Sequence, residues 1–402
     1  MKILHTADWH LGKKLDFFSR LKEQVEVMQE IESIADEQQV DAIIIAGDLF
    51  DNFNPPIEAV DLFYQTLKNL SNNGKRPVIA IAGNHDAPQR INAPDPLARA
   101  SGIILIGHPK ALVRPFSSPG NFEVVKSDNG FLELQLDRFD YPLRVIHTPY
   151  ANEARMKQYL DEEDQKNSLN EALRSHWQSL ADNYCDNKGV NILMTHLYMM
   201  QKGKPTPEEP EGERPLRIGN AELIDSNHIP KAIQYTALGH LHQCFNIGSQ
   251  ENPAYYAGSP LSYSFSEAGQ KKQVIIIDIE PDQPPVVEKI ELKKGRKLER
   301  KAFDNILDAE SYLLANPESL FELSIRSDVY LTAEEISKLR RASDGIIHLI
   351  PLVNSPEEGS TPSRRINLSE DMETLFVNYF TSQHGQKPSQ EILEIFNELT
   401  TK

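Results

Sequence analysis

Five short apolar runs in this chain each end in a residue able to hold a hard metal ion, and that repetition constrains the fold more than any other feature. It demands strands whose carboxyl ends converge on one rim. The run 42–46 leads through Gly47 to Asp48, and the run 78–82 leads through Gly83 to Asn84. Neither run alternates with polar residues, so both read as strands buried on two faces. Further along, 191–195 ends in His196, and 235–239 ends in His240 and His242. A first strand closing near Ala7 delivers Asp8 and His10, which can then turn to one ion. The carboxyl ends of strands are where open α/β sheets place their sites.

The donors are of one chemical kind. Carboxylate, amide carbonyl and neutral imidazole suit Mn, Fe or Zn and disfavour soft, copper-type sites. Asp48 has two oxygens and can bridge two ions. Asp8, His10, Asp48, Asn84, His196, His240 and His242 thus make a complete ligand set for a dinuclear hydrolytic centre. His85 and Asp86 exceed the needs of that set and fit chemistry instead. His85 would be a cationic or proton-donating imidazole, and Asp86 the group that holds its tautomer. Asp51 reads as a residue orienting a ligand or a water. Each piece alone has an ordinary reading: Asp8 could cap a helix, Gly83-Asn84-His85-Asp86 could be a turn, and His196 could be a satisfied core histidine. Five independent strand ends carrying compatible donors outweigh those readings.

The surroundings are bounded by composition. With 402 residues, 39% apolar and 25% charged, the chain can form two or three domains. Cys185 and Cys244 have no CxxC spacing and read as free thiols, with Cys244 an outside candidate for the metal environment. No apolar run approaches the roughly 18 residues of a membrane span. A cleaved leader would remove Asp8 and His10, so a cytoplasmic chain is expected. The net charge of −17 argues against nucleic acid, because phosphate binding usually leaves a basic footprint. Against it stands a local cluster of Lys293, Lys294, Arg296 and Lys297, extended by Arg300 and Lys301, which is either a weak DNA-binding patch or a solvated turn.

Residues 1–270 alternate buried strands with helical segments at 20–38 and 58–72, and strands recur with fewer helices after Val124. The expected fold is α/β, two packed sheets with helices outside. The Pro-rich stretch 281–285 marks a junction within a unit at 271–351, whose strands are expected at 286–292, 320–325 and 346–350 and whose helices at 306–315 and 333–342. Residues 352–366 read as a linker, and 367–402 as two helices with apolar stripes that include Phe376, Phe380, Ile392 and Phe396. Such a pair could dock on another chain or fold back on the body.

The order of motifs, Asp8-x-His10, Gly47-Asp48-x-x-Asp51, Gly83-Asn84-His85-Asp86, His196 and Gly239-His240-x-His242, resembles the calcineurin-type metallophosphoesterase superfamily. The wording around Asp8 (His5 to Gly12) and His240 (Tyr235 to His242), with Tyr256 to Ser262 and Ser264-Phe265-Ser266-Glu267, is similar to the SbcD-type nuclease subunits of bacterial SbcC/SbcD DNA repair complexes. This resemblance implies a layered metallophosphoesterase β-sandwich flanked by helices, a small α+β capping domain at 271–351, and a C-terminal helical tail at 367–402 that binds an SbcC-like ATPase. It also implies two divalent ions, most often Mn2+, one on Asp8, His10, Asp48 and His242 and the other on Asp48, Asn84, His196 and His240. His85 then takes the transition-state role, and Asp51 stands where archaeal and eukaryotic members tend to carry histidine. The implied activity is exonuclease action on double-strand ends and endonuclease action on hairpins and single strands, in a cytoplasmic, nucleoid-associated homodimer. Two other functions could use the same ligands: a small-molecule or cyclic-nucleotide phosphodiesterase, and a DNA-end tethering scaffold whose metals are structural.

Overall fold

Ile43 and Ile45 face one side of their strand and Ile44 the other, yet all three are fully buried. A strand with two apolar faces needs cover on both, and layers supply it here. The structure, a computed structural model, describes residues 1–109, 111–150, 169–201, 223–327 and 331–353, with scattered positions between 375 and 396. The first sheet has six strands in the order Val286–Glu291, Gln273–Asp278, Lys2–Thr6, Ala42–Ile45, Val78–Ile81 and Ile103–Ile106. The last four of these run parallel. The second sheet has eight strands, with Leu143–Thr148, Val190–His196, Tyr235–Gly239 and Ala254–Tyr256 parallel at its centre.

The two sheets face each other across one core. Ile3, Ile44, Ile79 and Ile104 of the first meet Val145, Ile192, Met194 and Tyr235 of the second. On the outer face of the first sheet, Leu4, Ile43, Ile45 and Val78 pack on Val27, Met28 and Ile31 of helix Leu21–Glu37 and on Phe63 and Leu67 of helix Ile57–Leu70. Helix Leu169–Tyr184 covers the second sheet, placing Leu173, Trp177 and Leu180 on Ile146 and Leu193. Each such buried side chain contributes roughly 1.5–3 kcal/mol relative to exposure. The result is the expected layered α/β sandwich, and its two parallel groups bring their carboxyl ends together.

A small lobe follows. Strands Lys297–Phe303, Ser319–Ser327 and Ile346–Val353 form a three-stranded sheet covered by helices Ile306–Ala315 and Ala333–Ala342, around Leu313, Phe321, Leu323 and Leu339. The Asn305 side chain accepts the Asp308 N–H to start the first helix, and Thr332 and Glu335 form a reciprocal cap at the second. Leu298, Leu320 and Ile347 dock the lobe on Leu15 and Phe265 of the body.

The lobe starts later than 271. Gln273–Asp278 pairs with the first strand of the chain, and Val286–Glu291 pairs with Gln273–Asp278, so both complete the first sheet. Val274 to Ile277 form a continuous apolar run, which is buried only inside a covered sheet. The lobe's own first strand, Lys297–Phe303, is polar enough to read as a charged turn in sequence. Its last strand runs to Val353, into the start of the expected linker.

Residues 1–352 form one compact unit and 353–402 a second. In the second, Phe376 stacks on Phe396 with ring centroids 4.0 Å apart, and 375–377, 380, 392–393 and 396 are helical. The linker from 354 and the rest of the tail lie outside the described residues. No described helix is long and apolar enough to cross a membrane.

Candidate metal centre

Four of the expected ligands sit in backbone conformations that side chains rarely adopt. Asp8, His10, Asp48 and His240 have φ of 52°, 44°, 49° and 107°. Each such residue costs on the order of 1–2 kcal/mol, and such strain clusters at functional sites. The bend turns each side chain out of the strand and into the cleft between the sheets. Two hydrogen bonds hold neighbouring strand ends in step, from the Asp8 N–H to the Gly47 carbonyl and from the His10 N–H to the Asp48 carbonyl, both at 3.0 Å. Packing here leaves no room for a methyl group. A Cβ at Gly83 would strike the Asp48 carboxylate, and one at Gly47, which also has φ of 93°, would strike the His196 ring.

The structure brings all seven expected ligands into one buried cluster. Asp48 lies at its centre, with Oδ2 3.3 Å from His196 Nε2 and 3.6 Å from His10 Nε2. Two of the groupings able to hold an ion share this carboxylate: Asp8, His10 and Asp48 form one, and Asp48, His196 and His240 the other. Asn84 Oδ1 is 2.9 Å from His196 Nε2, and His242 Nε2 is 3.0 Å from His10 Nε2. The His196 Nδ1 bonds the Ala46 carbonyl at 2.8 Å. Since a carbonyl can only accept, that nitrogen carries the proton and Nε2 is left as a metal donor. The Nδ1 of His242 bonds Glu267 at 3.0 Å, with the same consequence for its Nε2.

The charges fit a cation as well. Asp8 Oδ2 is buried with no hydrogen-bond partner among the described residues, an orphan that a bound cation would satisfy. Burial pushes the Asp8 carboxyl up to about 7, against the pull of His196 and His242. Burial also opposes ionisation of Asp48, but His196, His10 and His85 together hold it well below the usual carboxylate range. Burial pulls His196 down, and Asp48 and Asp8 more than reverse this, raising it to about 9. Without an ion, a proton on His196 supplies the positive charge. Loading a cation must displace it, so occupancy rises with pH.

Other expected residues take different places. The Asp86 carboxylate does not turn to the His85 ring. It accepts the N–H groups of Gly83, Leu49 and Phe50 at 2.8, 3.0 and 2.9 Å, tying together the loops that carry Asp48 and Asn84. The tautomer of His85 is set instead by Asp51, whose backbone carbonyl accepts from Nδ1 at 2.7 Å. Asp51 uses its carboxylate to pair with Lys13 at 3.0 Å. Of the basic cluster, Lys293, Lys294 and Lys297 are exposed, but the Arg296 guanidinium is half-buried on the carbonyls of Ser319 and Pro317 and on Asp344. It holds the lobe together rather than facing solvent. Cys244 packs at the inter-sheet core, outside the metal-compatible groups.

Four residues around the site were not legible as such. Gln24 donates to the His10 carbonyl at 2.8 Å and accepts from the Gly12 N–H at 3.0 Å, and Tyr263 donates to the Trp9 carbonyl, so together they clamp the Asp8 to Gly12 loop. Glu267 and Lys272 form a buried ion pair behind His242. Burial opposes the charge of Glu267, but Lys272 and His242 hold it down at about 2. Gln24 lies 14 residues beyond His10, and nothing local signals that the two meet.

Buried imidazoles and carboxylates grouped around one shared aspartate, at the carboxyl ends of two packed sheets, define a metal-dependent hydrolase. The calcineurin-like phosphoesterase family model matches residues 1–244. The SbcD component of the SbcCD nuclease of Bacillus subtilis is 36% identical over 410 residues, covering 100% of this chain and 98% of that one. The SbcD component from Staphylococcus epidermidis is 29% identical, covering 97% and 95%. A solved dimetal phosphatase from Danio rerio matches 73% of this chain and 99% of its own at 12% identity, with a TM-score of 0.41. The chain belongs to the calcineurin-like phosphoesterase family and, within it, to the SbcD type.

Proposed function

We propose that this chain is a DNA nuclease that hydrolyses phosphodiester bonds at double-strand ends and in hairpins with two divalent ions, Mn2+ foremost, as the partner of an SbcC-like ATPase. The observation that carries this reading is Asp48, whose one oxygen lies within 3.6 Å of His10 Nε2 and 3.3 Å of His196 Nε2 and so stands between two donor groups. One ion would rest on Asp8, His10, Asp48 and His242, the other on Asp48, Asn84, His196 and His240. When bound, such ions place positive charge on phosphate oxygens and acidify a water.

The rest of the chemistry belongs to the chain. With its Nδ1 proton engaged by Asp51, His85 keeps Nε2 to donate toward the leaving oxygen, and its ring is 4.9 Å from that of His10. Asp86 holds the backbone on which Asp48 and His85 depend. DNA and the ATPase enter through the full-length relatives, whose names make them one component of a nuclease, SbcCD. On this reading 271–351 caps the metals, 367–402 docks on the ATPase, and the chain works as a cytoplasmic, nucleoid-associated homodimer.

The test is cleavage of hairpin and blunt-ended DNA across Mn2+, Mg2+ and Zn2+, with and without the candidate ATPase and ATP, beside bis-p-nitrophenyl phosphate and cyclic nucleotides. Mn2+-stimulated DNA cleavage is expected. Turnover of the small esters alone would make this a small-molecule phosphodiesterase. Silence on every substrate would leave a tethering scaffold.

A further inference from the structure

The two histidines that close the proposed ion sites are held in different ways. His196 rests its Nδ1 on a neutral acceptor, the Ala46 carbonyl. His242 rests its Nδ1 on the carboxylate of Glu267, which is 1% exposed. The other oxygen of Glu267 takes the Lys272 ammonium at 2.5 Å. That ammonium also donates to the His242 carbonyl and to Ser259 Oγ, both at 3.0 Å. One buried ion pair thus grips His242 twice, by its ring through Glu267 and by its backbone through Lys272.

Stability does not explain such a pair. Two charges taken out of water rarely gain more from each other than they lose, and apolar residues of similar size often serve a core as well. An anionic partner on an imidazole does have a specific effect: it fixes the ring's orientation and makes the far nitrogen a stronger donor to a metal. We propose that Glu267, anchored by Lys272, is a positioning residue that raises the affinity of the His10–His242 ion site alone, so that the two ions bind unequally. The inference rests on the two-ion reading above.

Mn2+ titration of the full-length chain, by calorimetry and by electron paramagnetic resonance, tests it in wild type, Glu267→Gln and Glu267→Asp. Wild type binds two ions. In Glu267→Gln one ion keeps its affinity and the other weakens roughly 10- to 100-fold, leaving the resonance of an isolated Mn2+ at low loading. Glu267→Asp keeps the charge but shortens the reach, and it gives the same selective loss should the glutamine variant fail to fold. Two ions in wild type, with both or neither weakened in the variants, would overturn the proposal alone. Fewer than two ions in wild type would overturn the two-ion reading and the proposal with it.

Discussion

The Nδ1 of His85 donates to the backbone carbonyl of Asp51 at 2.7 Å, which fixes the proton on that nitrogen and leaves Nε2 for chemistry. A backbone acceptor does what a carboxylate does elsewhere, without adding negative charge beside the phosphate. His85→Ala should lower the cleavage rate by roughly 10²- to 10⁴-fold, the usual range for a lost general acid. Mn2+ stoichiometry, read by calorimetry, should stay at the wild-type value. Full Mn2+-stimulated cleavage in this variant would remove His85 from the chemistry.

Asp86 acts on stability first. Asp86→Ala strands the buried N–H groups of Gly83, Leu49 and Phe50, and each orphaned group costs about 1–3 kcal/mol. Urea unfolding should show a loss of at least about 3 kcal/mol. A variant as stable as wild type that has lost only activity would assign Asp86 to the chemistry instead.

Gly83→Ala places a methyl group on the Asp48 carboxylate. The carboxylate must move, and a misplacement near 1 Å can cost on the order of 100-fold in rate. Rate and Mn2+ affinity should fall together. An active, tightly binding variant would mean that this loop gives way.

The pH dependence of stability should be steep in acid even when the metal site is stripped by chelator. Burial pulls His5 and His147 down to about 3, and both are fully buried. The unfolded chain protonates them near 6.5 and the folded chain does not, so the unfolded state binds more protons between those values and stability falls as pH drops through that window. Each contributes on the order of 4–5 kcal/mol of acid destabilisation by pH 3. Both ring nitrogens of His147 lack a hydrogen-bond partner among the described residues, so His147→Leu should flatten the profile between pH 6.5 and 3. Denaturant midpoints measured across that range decide it, and an unchanged slope would count against a neutral His147.

Arg296→Ala should destabilise the lobe without changing how DNA binding responds to salt. The guanidinium donates to Ser319 at 2.9 Å, to Pro317 at 3.2 Å and to Asp344 at 3.1 Å, hydrogen bonds worth about 1–3 kcal/mol in total. Removing one cation that neutralises a DNA phosphate lowers the salt slope by about one. A lowered slope in this variant would return Arg296 to the DNA surface.

The ligands were legible in sequence because a strand and what ends it are local. Ala42–Ile45 is apolar on every residue, Gly47 and Asp48 follow, and no distant partner is needed to see that a donor stands at a strand's carboxyl end. The layered fold follows for the same reason, since strands with two apolar faces need cover on both. The roles of polar neighbours were not legible, because a hydrogen bond joins whatever the fold brings close. Asp86 follows His85 in the chain, yet its carboxylate reaches back 36 and 37 residues to Phe50 and Leu49. The Val286–Glu291 strand reads in sequence as the start of a new domain after a Pro-rich break, and pairing with Gln273–Asp278 returns it to the first sheet.

By itself, then, the sequence determined which atoms can hold metal, since donor type and strand-end position are properties of short segments. Only the tertiary structure decided how each donor is held: Asp48 between two histidines from different sheets, His242 against the Glu267–Lys272 pair, and His85 on the Asp51 carbonyl. Those arrangements depend on distances of a few ångströms between segments far apart in the chain, and such distances exist only once the sheets have packed.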